Sequence, residues 1–270
     1  MTDVQGDQSI SERQVGSAWF AFAEKLLSLG YDIFQEAMDA GIPVTEKQFA
    51  EPDILAVALL CRTISNFKGV IALAKLGLVV EARTLTRCCY ENLFLIGGLV
   101  EKGAAFVSAM YHDDLKSTIL RGSFALEIQK QPDNCNELFG KLEARLKEMK
   151  TRWPNAKFLK PKDAAKSSVL SGAYLFYSQL SADAAHPSLQ ALKRHMVRDE
   201  EDGEQLLRLD VTPVNKGTEL TETVDLACNA LIGACVGTNQ ILGGTALNQK
   251  IAAPFDEYGI LSKAMPNTKP

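Results

Sequence analysis

Apolar residues recur at helical spacing along nearly the whole chain, and the strict alternation of a half-buried strand is almost absent. Trp19, Phe22, Leu26 and Ile33 keep that spacing over residues 12–40, and Gly41 with Pro43 closes the segment. The run from Asp53 to Gly77 is apolar around most of its circumference, as a central helix must be. A second central helix is predicted over about 78–100 and a third over about 101–130, the latter stopping before Pro132. A more amphipathic helix follows at 133–150, with Glu143 and Lys147 four residues apart.

Residues 151–166 read as a basic loop broken by Pro154 and Pro161. Helices are predicted at about 167–185, 187–198 and 218–243, the last two separated by an acidic turn at 199–204 and a segment at 205–213 that can be extended. Gly233 and Gly237 in the last helix permit a close approach by a neighbour. From Ala253 the tail is predicted to be irregular. The expectation is a single all-α domain over residues 1–270, a bundle of about seven to eight helices with its core at about 53–243.

Charge narrows the function classes. The 29 Lys and Arg against 33 Asp and Glu give a net charge of −4, unlike the strongly basic balance of a dedicated duplex-binding protein. The first residues are polar and acidic, without the basic and apolar regions of a signal peptide. The longest uncharged stretch, Leu226 to Gln249, holds too many amides to suit a membrane, so a buried core helix is expected there. Cys61, Cys88, Cys89, Cys135, Cys228 and Cys235 form no C-x-x-C pair and read as small buried hydrophobes. These features point to a cytoplasmic protein without membrane, metal or cofactor.

One element conflicts with simple core packing. Arg83, Arg87 and Glu91 are spaced by four, so a charged stripe runs along an otherwise apolar helix. Buried charge is costly unless paired and hydrogen-bonded, and a guanidinium has five donors to satisfy. The partners are sought on two other helices. Tyr111, Asp114 and Thr118 make one polar stripe, and Tyr174, Tyr177, Ser178 and Ser181 make another. His186 stands before Pro187, at a predicted break between helices with its ring free to turn inward. His112, beside Asp113 and Asp114, is a second histidine candidate.

The constellation can be read in two ways. Arg87 holds an anion while His186 or Glu91 moves a proton, with Arg83, Tyr111, Tyr177 and Ser181 lining the pocket. Alternatively, the same groups form a buried network that fixes three helices and does no chemistry. Asp183-x-x-His186 has a metal-ligand spacing, but a di-iron bundle needs two Glu-x-x-His elements and further carboxylates. The stretch from Lys147 to Lys166 has seven basic residues against Glu148 and Asp163, with Trp153 and Phe158 between them, a pattern that can touch an RNA backbone. Lys193, Arg194, His195 and Arg198 suggest a second basic face. P-loop, dinucleotide-binding and nucleophile-elbow signatures are absent.

With Arg83-Arg87-Glu91, Tyr111 and Tyr177-Ser181-His186 in place, the chain resembles a bacterial family of helical proteins carrying a domain of unknown function, over about residues 55–195. Its architecture is also similar to the HEPN superfamily, many members of which are metal-independent ribonucleases with Arg-x(4–6)-His on one helix. None of His112, His186 and His195 has an arginine at that spacing, so a ribonuclease would need Arg87 and His186 to meet from different helices. The resemblance to the unknown-function family implies a helical domain without an established activity; the leading reading here is a HEPN-like helical binding or interaction module in a defence or toxin system, with RNA or a nucleotide as the candidate ligand. The alternative is a HEPN-like ribonuclease in which His186 is the acid or base, Glu91 assists, and Arg87 stabilises the transition state. A homodimer is expected from the apolar, small-residue-rich helices.

Overall fold

A computed structural model describes residues 4–41, 50–128, 137–182, 187–201, 204–215, 218–244 and 248–264. The described helices are α1 (Val4–Ala40), α2 (Pro52–Lys75), α3 (Val79–Lys102), α4 (Ala104–Ile128), α5 (Glu137–Arg152), α6 (Pro161–Lys166), α7 (Tyr174–Leu180), α8 (Leu189–Leu192), α9 (Glu219–Ile241) and α10 (Asn248–Lys263). Strands β1 (Met196–Glu201) and β2 (Glu204–Leu209) lie between α8 and α9 and pair antiparallel. The chain is therefore essentially all-α, with ten described helices rather than seven or eight.

The buried core includes α1 as well as the expected span 53–243. α2, α3 and α9 pack on one another, and α1 crosses α2 and α9. Trp19, Phe22, Leu26 and Ile33 of α1 are all buried, together with Phe67 of α2, Phe94 of α3 and Leu231 of α9. Each such side chain contributes roughly 1.5–3 kcal/mol by leaving water. Pro52 opens α2 at a position where its missing N–H costs nothing. Gly77, at φ 76°, turns the chain so that α3 returns along α2. Gly233 and Gly237 admit α3 closely: a Cβ there would meet Leu93 Cδ1 at 2.7 Å and Ile96 Cγ2 at 2.6 Å. α2 and α9 are long and apolar enough to cross a membrane by length and composition, and half of each apolar stretch is buried inside this bundle.

Several local expectations change. The segment predicted as helix through 198 turns into β1 at Met196, and its partner β2 begins at Glu204, inside the predicted acidic turn. The predicted basic loop at 151–166 begins inside α5 and ends in α6, whose first helical residue is Pro161. The tail read as irregular from 253 is helical as far as Lys263, because Tyr258 and Leu261 pack against the core. Cys89, Cys228 and Cys235 are buried as predicted, whereas Cys61 is exposed and Cys88 half-buried; Cys135 lies outside the described residues. Burial pushes the Cys89, Cys228 and Cys235 thiols up, away from thiolate reactivity.

Candidate polar clasp between α3 and α7

α3 and α7 meet through rings. Phe94 packs edge-on to Tyr177, with centroids 5.8 Å apart, and Tyr174 lies against both. That contact brings the hydroxyl stripe of α7 over the charged stripe of α3. Arg87 Nη2 donates to Glu91 Oε1 at 2.9 Å and to Tyr177 Oη at 2.9 Å, and Arg87 Nε donates to Ser181 Oγ at 2.9 Å. Arg87 Nη1 reaches Glu91 Oε2 at 3.4 Å, and Tyr177 Oη donates to Glu91 Oε1 at 3.1 Å. The guanidinium also lies 5.0 Å from the Tyr177 ring centroid.

Spacing explains why this clasp forms. Arg87 and Glu91 are one helical turn apart, so α3 alone supplies the ion pair. Tyr177 and Ser181 are likewise four residues apart, so one short element offers two hydroxyls at the right interval. Arg87 is 18% exposed and Glu91 33%, which leaves the carboxylate edge in reach of solvent. Burial raises the Tyr177 phenol, so its hydroxyl remains a donor at neutral pH. Burial, with Glu91 nearby, also raises Cys88, which is no activated nucleophile.

The structure thus joins Arg87, Glu91, Tyr177 and Ser181, four of the residues singled out in the sequence. Arg83 lies one turn earlier on α3 and is half-buried. Tyr111 goes elsewhere: its exposed ring meets Trp153 edge-on at 6.1 Å, because α4 turns away from α3 at Gly103 and pairs with α5. Asp114 is exposed, and Thr118 accepts from Arg121 on its own helix. His112 is half-buried on α4. His186 and Asp183 lie outside the described residues, so the predicted histidine and the metal-like spacing have no geometry here. Among the described residues, no group of three or more His, Cys, Asp or Glu side chains is arranged to hold a metal ion.

Two polar arrangements escaped sequence reading. Arg194, placed on a basic face from the sequence, is instead nearly buried in a two-pronged pair with Glu219 of α9, at 2.9 and 2.6 Å. Deeper in the bundle, Tyr90 Oη donates to Asn229 Oδ1 at 3.2 Å, and Asn229 Nδ2 donates to Tyr258 Oη at 3.3 Å. Tyr258 is also hydrogen-bonded to Asp225, whose Oδ1 is buried with no hydrogen-bond partner. The Asn229–Asp225 spacing of four on an apolar helix was the available signal.

Burial pushes the Asp225 carboxyl above the usual range, and Glu222 adds to this, while the bond to Tyr258 opposes it. The folded chain therefore holds the Asp225 proton more tightly than the unfolded chain does. The stabilisation is full below the unfolded carboxylate pKa and is lost as pH rises through the folded value. Asp225→Asn is expected to melt above wild type at pH 7, with the gap closing toward about pH 4. A gap of equal size at both pH values would refute this account.

A family model described as a family of unknown function, DUF5677, matches residues 53–205, more than half of the chain. The chain belongs to the DUF5677 family. The matched span runs from α2 into β2 and contains the whole clasp, while α1, most of β2, α9 and α10 lie outside the DUF5677 match. No curated protein and no solved structure matches the chain.

Proposed function

We propose that the chain is a helical binding module whose ligand site is the open edge of the clasp, and that a nucleotide or RNA end is what it holds. The observation that carries this reading is the pairing of Arg87 with Glu91, in a site that is one-third open at the carboxylate. The two charges cancel, so the site offers matched donors and acceptors rather than a net positive field. That chemistry suits the hydroxyls and base edge of a nucleotide, with the open edge of Glu91 accepting and Ser181 donating.

The same pairing disfavours the ribonuclease reading. A guanidinium whose charge is compensated and whose N–H groups are largely engaged must break those bonds before it can stabilise a phosphorane-like transition state. A place in a defence or toxin system and a HEPN-like kinship belong to this binding-module reading and do not require ribonuclease activity.

Two experiments separate the readings. In a thermal-shift series with the four nucleoside monophosphates, wild type is expected to gain several degrees with at least one, and Glu91→Gln to lose most of that gain. No shift with any of them would leave the clasp as a structural pin and overturn the proposal. Total RNA and tRNA incubated with the protein in EDTA are expected to stay intact. Cleavage that disappears in folded Arg87→Ala and His186→Ala variants would make the protein a two-helix ribonuclease instead.

A further inference from the structure

One basic stretch of this acidic chain finds no counter-charge within the fold. From Lys147 to Lys166 seven basic residues stand against Glu148 and Asp163, in a chain whose net charge is −4. All seven are exposed, and among the described residues none of them is in an ion pair, although Lys141 earlier on α5 is paired with Glu137. The fold also holds the stretch in place. Trp153 meets Tyr111 of α4 edge-on with centroids 6.1 Å apart, and Leu159 N donates to Asp113 Oδ1 of α4 at 2.8 Å. Beyond Pro161, α6 packs on α3 with Ala164 and Ala165 buried. Lys102 of α3 donates to Ser167 Oγ at 3.1 Å, which adds a further cation at that end.

Aromatic rings lie among these charges. Tyr111 is 51% and Phe158 46% exposed, so about half of each side chain is open to solvent. Trp153 is half-buried and carries the Arg152 guanidinium 4.7 Å from its ring centroid. Asp113, the acid nearest beneath the stretch, spends a carboxylate oxygen on the Leu159 amide. Cations fixed along an anchored backbone with open rings between them match the alternation of phosphate and base along a single strand. A duplex hides the faces of its bases and has no use for the rings. A lipid surface would call for a wider apolar face than one phenyl and one phenol ring.

We propose that this strip, running from the end of α5 across residues 153–160 to α6, binds a single strand of nucleic acid, with phosphates on the lysines and bases against Tyr111 and Phe158. The acidic remainder of the chain repels the strand elsewhere and steers it to this face. Because the stretch is fastened to α4 and α3 beforehand, little ordering is left for binding to drive. The strip shares no side chain with the clasp, so a failure of nucleoside monophosphates to bind there leaves this proposal standing.

Fluorescence anisotropy of the full chain with an end-labelled uridine 20-mer is the test, repeated over a salt series. Wild type is expected to bind the single strand with an affinity that falls steeply with salt, and to bind the same strand annealed to an adenosine 20-mer about tenfold more weakly. The triple variant Lys157→Gln/Lys160→Gln/Lys162→Gln is expected to flatten the log–log salt slope by about 2, since each strand phosphate contributes about 0.7. Phe158→Ala is expected to weaken binding about tenfold and leave that slope unchanged. All four side chains are exposed, so the circular dichroism spectra are expected to match wild type. Lys68→Gln, at an exposed lysine of α2, is expected to bind as wild type does. A thymidine 20-mer bound equally well supports a ligand of either sugar, and a preference for the uridine strand supports RNA. No binding of either strand at low salt would overturn the proposal, as would a duplex bound as tightly or a Phe158→Ala protein that binds like wild type. Capture by phosphatidylserine vesicles with both strands left free would overturn it too, in favour of a lipid-facing patch.

Discussion

Glu219→Ala is expected to lower the melting temperature by about 10 °C, the largest effect of any single polar substitution considered for this chain. Arg194 and Glu219 are only 11% and 8% exposed, and the carboxylate answers the guanidinium with both oxygens. Removing Glu219 takes the paired carboxylate from a buried cation, which still donates to the Val214 carbonyl at 3.2 Å. Breaking a buried pair from one side costs about 3–5 kcal/mol, whereas exchanging the whole pair for apolar groups is often close to neutral. The double variant Arg194→Met/Glu219→Leu is therefore expected to recover most of the loss. A thermal or urea melt of Arg194→Met, Glu219→Leu and the double variant closes the cycle. A single variant melting within 2 °C of wild type would show that water reaches the pair and cancels its contribution.

Arg87→Ala is expected to cost less, about 2–3 kcal/mol, because Glu91 keeps partial access to solvent. The loss has two parts. Glu91 loses its ion-pair partner, and α7 loses the donors that hold Tyr177 and Ser181 against α3. Glu91→Gln keeps an acceptor near Arg87 and Tyr177, so a loss of only about 1 kcal/mol is expected from it. Hydrogen exchange adds a local readout: amides of residues 174–182 are expected to lose protection in Arg87→Ala while those of α2 and α9 keep theirs. An Arg87→Ala protein that melts above wild type would mean that the clasp is strained in the folded chain.

The parts of this arrangement that can be read from sequence are those written within one helical turn. Trp19, Phe22, Leu26 and Ile33 announce a buried face, and Arg87 with Glu91 announces half of the clasp, because both patterns repeat with the helix itself. Tyr177 and Ser181 follow for the same reason. Tyr111 shows the limit. Its spacing on α4 is equally regular, but the direction in which α4 leaves α3 is set by the turn at Gly103. Arg194 and Glu219 are 25 positions apart, and no local pattern links them. β1 was hidden for another reason, since the acidic residues at 199–201 read more readily as a solvated turn.

Recognisability and self-sufficiency part company in this chain. Residues 53–205 carry the family likeness, yet the faces of α2 and α3 in that span close on Trp19, Phe22 and Leu26 from before it and on Ala227, Leu231 and Cys235 from after it. The excised stretch would present a long apolar seam to water with nothing to seal it. The flanking helices supply that seal, so the family-matched middle is a face in search of a lid rather than an independent body.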